Sequence, residues 1–219
     1  MFSQLLDLLF PRRCVLCRSF LSKEETDICR HCRQTTTEPE KTDFNISFIA
    51  EWTGVWYYKD RVRDSLIRYK FSGRRCYAPA YGRSLAMHLQ KKGFDQFDVL
   101  TFVPIAPLRK LSRGYDQVEL LSKAVGKELG VPAIRTLRKI RNTPPQSGIQ
   151  DASKRRANVL GAYKATNPAL IRGKRVLLLD DVITTGATTS ECARVLLTAG
   201  AKDVFCAAMA AANHDIKNM

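Results

Sequence analysis

The sequence is short of acid: 21 Asp and Glu stand against 36 Lys and Arg, which sets the formal net charge at +15 at pH 7. So basic a chain points to a polyanionic ligand, whether a nucleotide, nucleic acid or an anionic membrane surface, and charge alone does not choose among them. Any apolar run approaching the ~20 residues of a bilayer span is also lacking, which excludes a transmembrane helix. The apolar opening, Met1 to Phe10, has no basic residues ahead of it and runs straight into Pro11-Arg12-Arg13. That is not the build of a signal peptide, and a cytoplasmic location is expected. No internal repeat is evident. With 219 residues, 45% of them hydrophobic, the chain is neither disordered nor fibrous and can bury a core as one domain with an appendage. A reducing compartment turns its seven cysteines toward metal or free thiols and away from disulfides.

What is present is read best from the stretch Arg175-Val176-Leu177-Leu178-Leu179-Asp180-Asp181-Val182-Ile183-Thr184-Thr185-Gly186-Ala187-Thr188. Val176 to Leu179 are apolar on both faces of a strand, the pattern of a buried parallel strand. After the two carboxylates come hydroxyl side chains and a glycine. Cys192, Leu196 and Ala199 then recur at helical spacing over Thr189 to Ala199, with Gly200 as the stop. In an open parallel sheet a loop at this place faces the ligand crevice. Thr184, Thr185, Gly186 and Thr188 offer hydroxyls and a pliable backbone at the positive end of a helix, which together make an anion site suited to phosphate. Two carboxylates touching that phosphate would repel it, so they are expected to accept hydrogen bonds from sugar hydroxyls or to hold a hydrated Mg²⁺. The ligand so implied is a sugar phosphate. The bland alternative is a buried strand and capped helix with a solvated Asp pair. The stretch resembles the 5-phosphoribosyl-1-pyrophosphate (PRPP) motif of type I phosphoribosyltransferases at every position. That resemblance implies that Asp180 and Asp181 bind the ribose 2′- and 3′-hydroxyls, while Val182, Ile183, Thr184, Thr185, Gly186, Ala187 and Thr188 wrap the 5′-phosphate.

Ahead of this stretch, Phe2, Leu5, Leu6, Leu9 and Phe10 could line one face of a short docking helix. Cys14-Val15-Leu16-Cys17, eleven residues, and Cys29-Arg30-His31-Cys32 make two Cys-x-x-Cys knuckles, and four thiolates so spaced can surround Zn²⁺ tetrahedrally. A disulfide pair or an iron–sulfur cluster are the other occupants of such a set. Four Cys ligands leave no open position, so a zinc ion there is structural. Thr35 to Phe44 is polar and reads as a linker, which divides the chain into residues 1–45 and 46–219.

From Ile46 the character changes, and Trp52 to Tyr58 favours a strand. Asp60 is placed to cap a helix with Val62, Leu66, Ile67 and Tyr69 on its apolar stripe. Arg61, Arg63, Arg68, Lys70, Arg74 and Arg75 crowd the span from 61 to 75 against Asp64 alone. A second helix is expected from Ala78 to Lys92. Asp98 to Val103 reads as another buried strand, and its exit loop carries Arg109, Lys110 and Arg113. Asp116 with Glu119 forms a capping box for a helix to Leu129. A strand is expected over Ala133 to Lys139 and a short helix over Lys154 to Leu160. Residues 141–148, with Pro144 and Pro145, sit among Arg135, Arg138, Lys139, Arg141, Lys154, Arg155 and Arg156, and read as a mobile lid over an anion or as a plain surface loop. Val204 to Ala212 supplies a last strand.

Taken jointly, the Cys knuckles, Tyr69-Lys70-Phe71-Ser72-Gly73-Arg74, Arg113-Gly114-Tyr115-Asp116-Gln117, Arg138 with Asn142-Thr143-Pro144-Pro145-Gln146, and the Asp180 stretch resemble the ComF family across essentially the whole chain. The resemblance implies an α/β, type I phosphoribosyltransferase fold, a mostly parallel sheet flanked by helices, with a small N-terminal zinc element held by four cysteines, Cys14, Cys17, Cys29 and Cys32. It implies a role in natural transformation and DNA uptake, with a ComFA-type helicase and single-stranded DNA as partners and Mg²⁺ accompanying PRPP. By position, Lys70, Phe71, Ser72 and Gly73 correspond to the pyrophosphate loop and 138–156 to the catalytic loop. Catalytic residues are not assigned by the resemblance; Lys70, Arg113, Arg138, Arg141 and Lys154 are the candidates. Enzymes of the hypoxanthine-guanine type carry an Asp where this chain has Thr184, and the lid holds no His of the orotate kind. The acceptor is therefore not written in the sequence. Three readings follow: transfer to an unknown acceptor, a PRPP-binding adaptor without turnover, or a single-stranded DNA binder.

Overall fold

The computed structural model describes residues 11–39, 45–94, 96–143 and 152–212. The expected docking helix over Phe2 to Phe10, the end of the linker and the lid residues 144–148 lie outside them. Four strands, β1 (Glu51–Tyr57), β2 (Val99–Phe102), β5 (Arg175–Ile183) and β6 (Asp203–Ala211), form one sheet in the order β1-β6-β5-β2, and every pairing is parallel. Strands β3 (Leu137–Lys139) and β4 (Tyr163–Ala165) make a separate antiparallel pair. β5 lies inside the sheet and is covered on both faces, which is why its sequence is apolar without alternation.

Side chains along β5 divide by parity. Leu177 and Leu179 enter the core shared with helices α2 (Asp60–Phe71), α3 (Ala78–Lys91) and α5 (Gln117–Leu129). Val176 and Leu178 enter the core under α7 (Ala187–Thr198). Helices on both faces of a parallel sheet give the α/β class expected. Among the described residues no helix is long and apolar enough to cross a membrane.

Several local expectations are revised. Asp60 does not cap α2. Lys59 stands at the cap, while Asp60 is the first helical residue and has φ of 46°. Asp116 caps α5 by accepting from the Val118 and Glu119 N–H groups, whereas the Glu119 carboxylate turns outward to Lys110, Lys123 and Arg135. The loop after β2 contains a helix, α4 (Pro107–Arg113), started by a proline whose missing N–H costs nothing there and closed by Gly114 at φ 77°. The strand expected over Ala133 to Lys139 is broken. Ala133 bridges Leu100 at the sheet edge, Thr136 Oγ1 is tied to Thr101 Oγ1 at 2.7 Å, and Leu137 onward swings off to pair with β4.

The cysteine region is fastened to the sheet domain. Val15 and Leu16 are buried in one core with Val62, Leu66 and Tyr69 of α2. Asp27 receives both ends of the Arg83 fork at 2.7 and 2.8 Å, and Glu38, just past α1 (Arg30–Thr35), takes Lys91 and Lys92 at 2.9 Å each. Those lysines, Lys91 first, hold the Glu38 carboxyl down at about 2. One shared core predicts one cooperative unfolding transition for the full chain. Calorimetry should show a single endotherm; two well-separated endotherms would contradict the shared core.

Candidate functional site

At the carboxyl ends of β5 and β2 lies a cleft of about 280 Å³. Its floor is the end of β5, and here the expected turn is corrected: Asp180, Asp181, Val182 and Ile183 all lie within the strand, so the two carboxylates leave on opposite faces of the sheet. Asp181 faces α2 and α5. Its Oδ1 pairs with Lys70 Nζ at 2.8 Å and its Oδ2 accepts from Gln117 Nε2 at 2.7 Å. Burial works against the Lys70 ammonium, but Asp181 overrides it and the Lys70 pKa moves up. Asp180 faces Tyr163 and Cys192, and its Oδ1 accepts from the Asp181 N–H at 2.8 Å. Burial above all, and then the charge of Asp181, push the Asp180 carboxyl up to about 8.

Beyond β5 the chain turns through Thr184 and Thr185 to Gly186, which stands at the N-cap of α7 with φ of 70° and no side-chain cap. The first-turn N–H groups of α7 therefore open toward the cleft, lined here by Thr184, Gly186, Ala187, Thr188 and Thr189. The Thr185 hydroxyl is buried and makes no hydrogen bond among the described residues. A Cβ on Gly186 would stand 2.8, 2.9 and 3.1 Å from three carbons of Ile46, so Ile46 forms the underside of the turn.

Cations line the other walls. Lys70, Arg109, Arg113, Lys139 and Arg155 border the cleft. Arg113 lies 4.8 Å over the Phe71 ring and donates to Gln117 Oε1. Arg109 donates to the Thr143 carbonyl at 2.7 Å. Burial lowers the pKa of both Arg113 and Lys139. Two of the five candidate catalytic side chains, Lys70 and Arg113, thus reach the cleft. Arg138 is exposed, because on β3 it alternates with Lys139, and it is Lys139 that turns inward, 5.1 Å over the Tyr163 ring. Arg141 instead donates to the Asn158 and Leu160 carbonyls at the end of α6 (Ala152–Val159). Lys154 is exposed, and its neighbour Arg155 borders the cleft. Of the proposed pyrophosphate loop, Lys70 and Phe71 border the cleft, Gly73 borders an adjoining recess, and Ser72 is exposed. Sequence reading had no role for Gln117 or Lys139. For Lys139 the signal was strand parity, unusable until the partner of β3 is known.

The four thiol sulfurs of Cys14, Cys17, Cys29 and Cys32 lie within 4.8 Å of one another. Four ligands at the Zn–S distance of about 2.3 Å sit roughly 3.8 Å apart, so the set fits tetrahedral zinc. Cys29 Sγ accepts from the Cys32 N–H at 3.5 Å, a bond that orients a thiolate ligand. The site is a structural zinc site, closed to substrate.

Two outcomes are expected of the Gly186 turn and its floor. A carboxyl raised in the folded state stabilises the protein below the unfolded value near 3.8 and loses that contribution as pH climbs toward about 8. The thermal stability of Asp180→Asn should therefore gain on the parent protein as pH rises from 4 to 8, and level off above; a pH-independent gap in Tm would show that Asp180 is ionised throughout. Gly186→Ala combines a left-handed backbone with a clash on Ile46 and should cost at least about 1–2 kcal/mol in urea unfolding.

Comparison with known proteins agrees with this geometry. A family model of the phosphoribosyl transferase domain matches residues 111–219, and one of the double zinc ribbon domain matches residues 5–42. Competence protein ComFC of Streptococcus pneumoniae is 31% identical over 201 residues, which is 87% of this chain and 84% of that protein. Competence protein F of Haemophilus influenzae is 25% identical over 218 residues, 89% and 95% of the two chains. The DNA utilization protein YhgH of Salmonella typhimurium is 31% identical over 140 residues, 62% of this chain and 60% of its own. With a zinc ribbon at one end, a phosphoribosyltransferase domain at the other and that identity across most of both chains, the protein belongs to the ComF family of competence proteins.

Proposed function

We propose that the cleft binds PRPP with Mg²⁺ and that the protein serves DNA uptake in natural transformation, in the cytoplasm. One observation carries the binding reading: an uncapped helix N-terminus, two carboxylates and five cations converge on a single crevice at the end of a central parallel strand. The α7 turn would take the 5′-phosphate, with the Thr184 and Thr188 side chains beside it in the cleft lining. Asp180 and Asp181 would accept from the ribose hydroxyls or hold a hydrated Mg²⁺. Lys70, Arg109, Arg113, Lys139 and Arg155 would neutralise the pyrophosphate. The DNA-uptake reading is supported by the relatives, named as competence and DNA utilization proteins. A helicase of the ComFA type and single-stranded DNA are the partners that this role implies for a chain of charge +15.

Transfer of phosphoribosyl would pass through an oxocarbenium-like state, helped by cations on the departing pyrophosphate and by exclusion of water. Mg²⁺, when bound, would add Lewis-acid neutralisation of the same group. A second reading, binding without turnover, is favoured by one feature. Among the described residues lining the cleft there is no histidine, and the only carboxylates are the two expected to hold the ribose. The other titratable side chains lining it are Tyr58 and five Lys and Arg, a set better suited to holding an anion than to taking a proton from an acceptor.

Calorimetric titration of PRPP with Mg²⁺ should give no binding to the Asp180→Ala, Asp181→Ala double variant. Equal affinity would end the ribose reading. Lys139→Ala should weaken PRPP by about tenfold, or 1.4 kcal/mol, and Arg138→Ala should not, a contrast that separates cleft contacts from general basicity. Pyrophosphate release across a panel of acceptors then decides between transfer and binding alone.

A further inference from the structure

We propose that the zinc ribbon sets the position of Lys70, with Arg68 and Ser65 as the positioning residues that carry the constraint from the metal knuckle to the cleft. The inference deepens the binding reading above, since Lys70 is the cation that meets Asp181.

The two residues between Cys14 and Cys17 are Val15 and Leu16, and both present their carbonyl oxygens to α2. Arg68 Nη2 donates to the Val15 oxygen at 3.2 Å and to the Leu16 oxygen at 2.6 Å. Ser65 Oγ also donates to the Val15 oxygen and lies 2.6 Å from Tyr81 Oη. A Cys-x-x-Cys turn holds its two central carbonyls in a fixed direction only while both thiolates share the metal. The side chains of Val15 and Leu16 are buried against Leu66 and Tyr69, so the same turn grips α2 by apolar contact as well. At the far end of the helix Arg61 Nη1 reaches Cys32 Sγ at 3.8 Å. α2 is thus held along its length by the knuckles.

Arg68 stands two residues before Lys70. On the opposite side the helix end is pinned by the segment 113–117: Tyr69 Oη donates to the Gln117 carbonyl at 2.7 Å, and Tyr115 Oη donates to the Tyr69 carbonyl. Between these two anchorages Lys70 extends to Asp181. A helix end that slides or turns by an ångström takes a 2.8 Å ion pair out of bonding distance. A ribbon that merely filled space would not need a guanidinium across two of its carbonyls. The polar grip fixes rotation as well as distance, and rotation decides where Lys70 points.

The test uses the full-length, zinc-loaded protein. Arg68→Met keeps the apolar stem and removes the fork. It should retain one zinc per chain by elemental analysis, speed amide hydrogen exchange at 69–75 at least tenfold while leaving β5 unchanged, and lower PRPP affinity about tenfold. Arg63→Met, exposed on the same helix, should also keep its zinc and should leave both the exchange at 69–75 and the PRPP affinity unchanged. Should Arg68→Met fail to fold, Ser65→Ala in the same assay replaces it, with the same signs expected. A zinc-loaded variant with unchanged exchange at 69–75 overturns the proposal whatever PRPP does. If the parent protein takes no PRPP at all, the binding reading falls, and the exchange result alone still decides whether the ribbon holds the helix end. Linkage supplies an independent arm in the parent protein: zinc affinity, measured by competition with a zinc-selective chelator, should rise when PRPP and Mg²⁺ saturate the cleft, by the factor by which zinc loading raises PRPP affinity. An unchanged zinc affinity under saturation also overturns it.

Discussion

A largely buried lysine and aspartate at the cleft floor hold the cleft in shape. Lys70 comes from the end of α2 and Asp181 from the end of β5, and they meet at 2.8 Å. Removing two charges from water costs several kcal/mol each, and the attraction repays it only where the geometry is good and the remaining lone pairs are satisfied. Gln117 supplies that satisfaction, taking Arg113 on its oxygen and giving its amide N–H to Asp181. An amide side chain can accept from a guanidinium on its oxygen and donate to a carboxylate from its nitrogen at once. The ends of α2, α5 and β5 are thereby locked to each other, since losing any one group would strand a buried charge. Asp180 leaves on the other face of β5 with no cation in contact among the described residues, and burial first, then the charge of Asp181, pushes its carboxyl up to about 8.

The chain announced its central strand, the glycine turn after it and its cysteine cluster because each is a local pattern. An unbroken aliphatic run is buried wherever it lies, a Gly after hydroxyls opens a helix, and paired Cys knuckles carry their spacing with them. What stayed hidden depended on contacts distant in sequence. Nothing around Leu137 says that it leaves the sheet to pair with Ala165, so the choice between Arg138 and Lys139 as the inward cation could not be made. Asp60 has the composition of a cap, but Lys59 stands at the cap position. Glu119 completes a capping box on paper, yet Lys110, Lys123 and Arg135 offer it three cations and draw it away from the helix end.

The basic charge is unevenly employed. Some of it is structural, as where Arg83 grips Asp27, Lys91 and Lys92 take Glu38, and Arg141 ties off α6. The portion gathered at the cleft is of another kind: five cations face two carboxylates, one of which holds its proton below about pH 8. Such an excess repels itself, and an anion bound there would relieve the repulsion as well as form bonds.

Ile46, seated against Gly186, limits how this protein can change over time. Any substitution of the glycine carries a cost, set by its left-handed backbone angle and by the branched side chain beneath it. Ile46 has several. Exchanging it for valine or leucine would alter the support under the turn by a methyl group or its placement, leaving every phosphate-facing atom chemically the same. Divergence in ligand affinity among descendants of this chain would then accumulate at a position outside the recognisable motif, where motif-based comparison of relatives would not look.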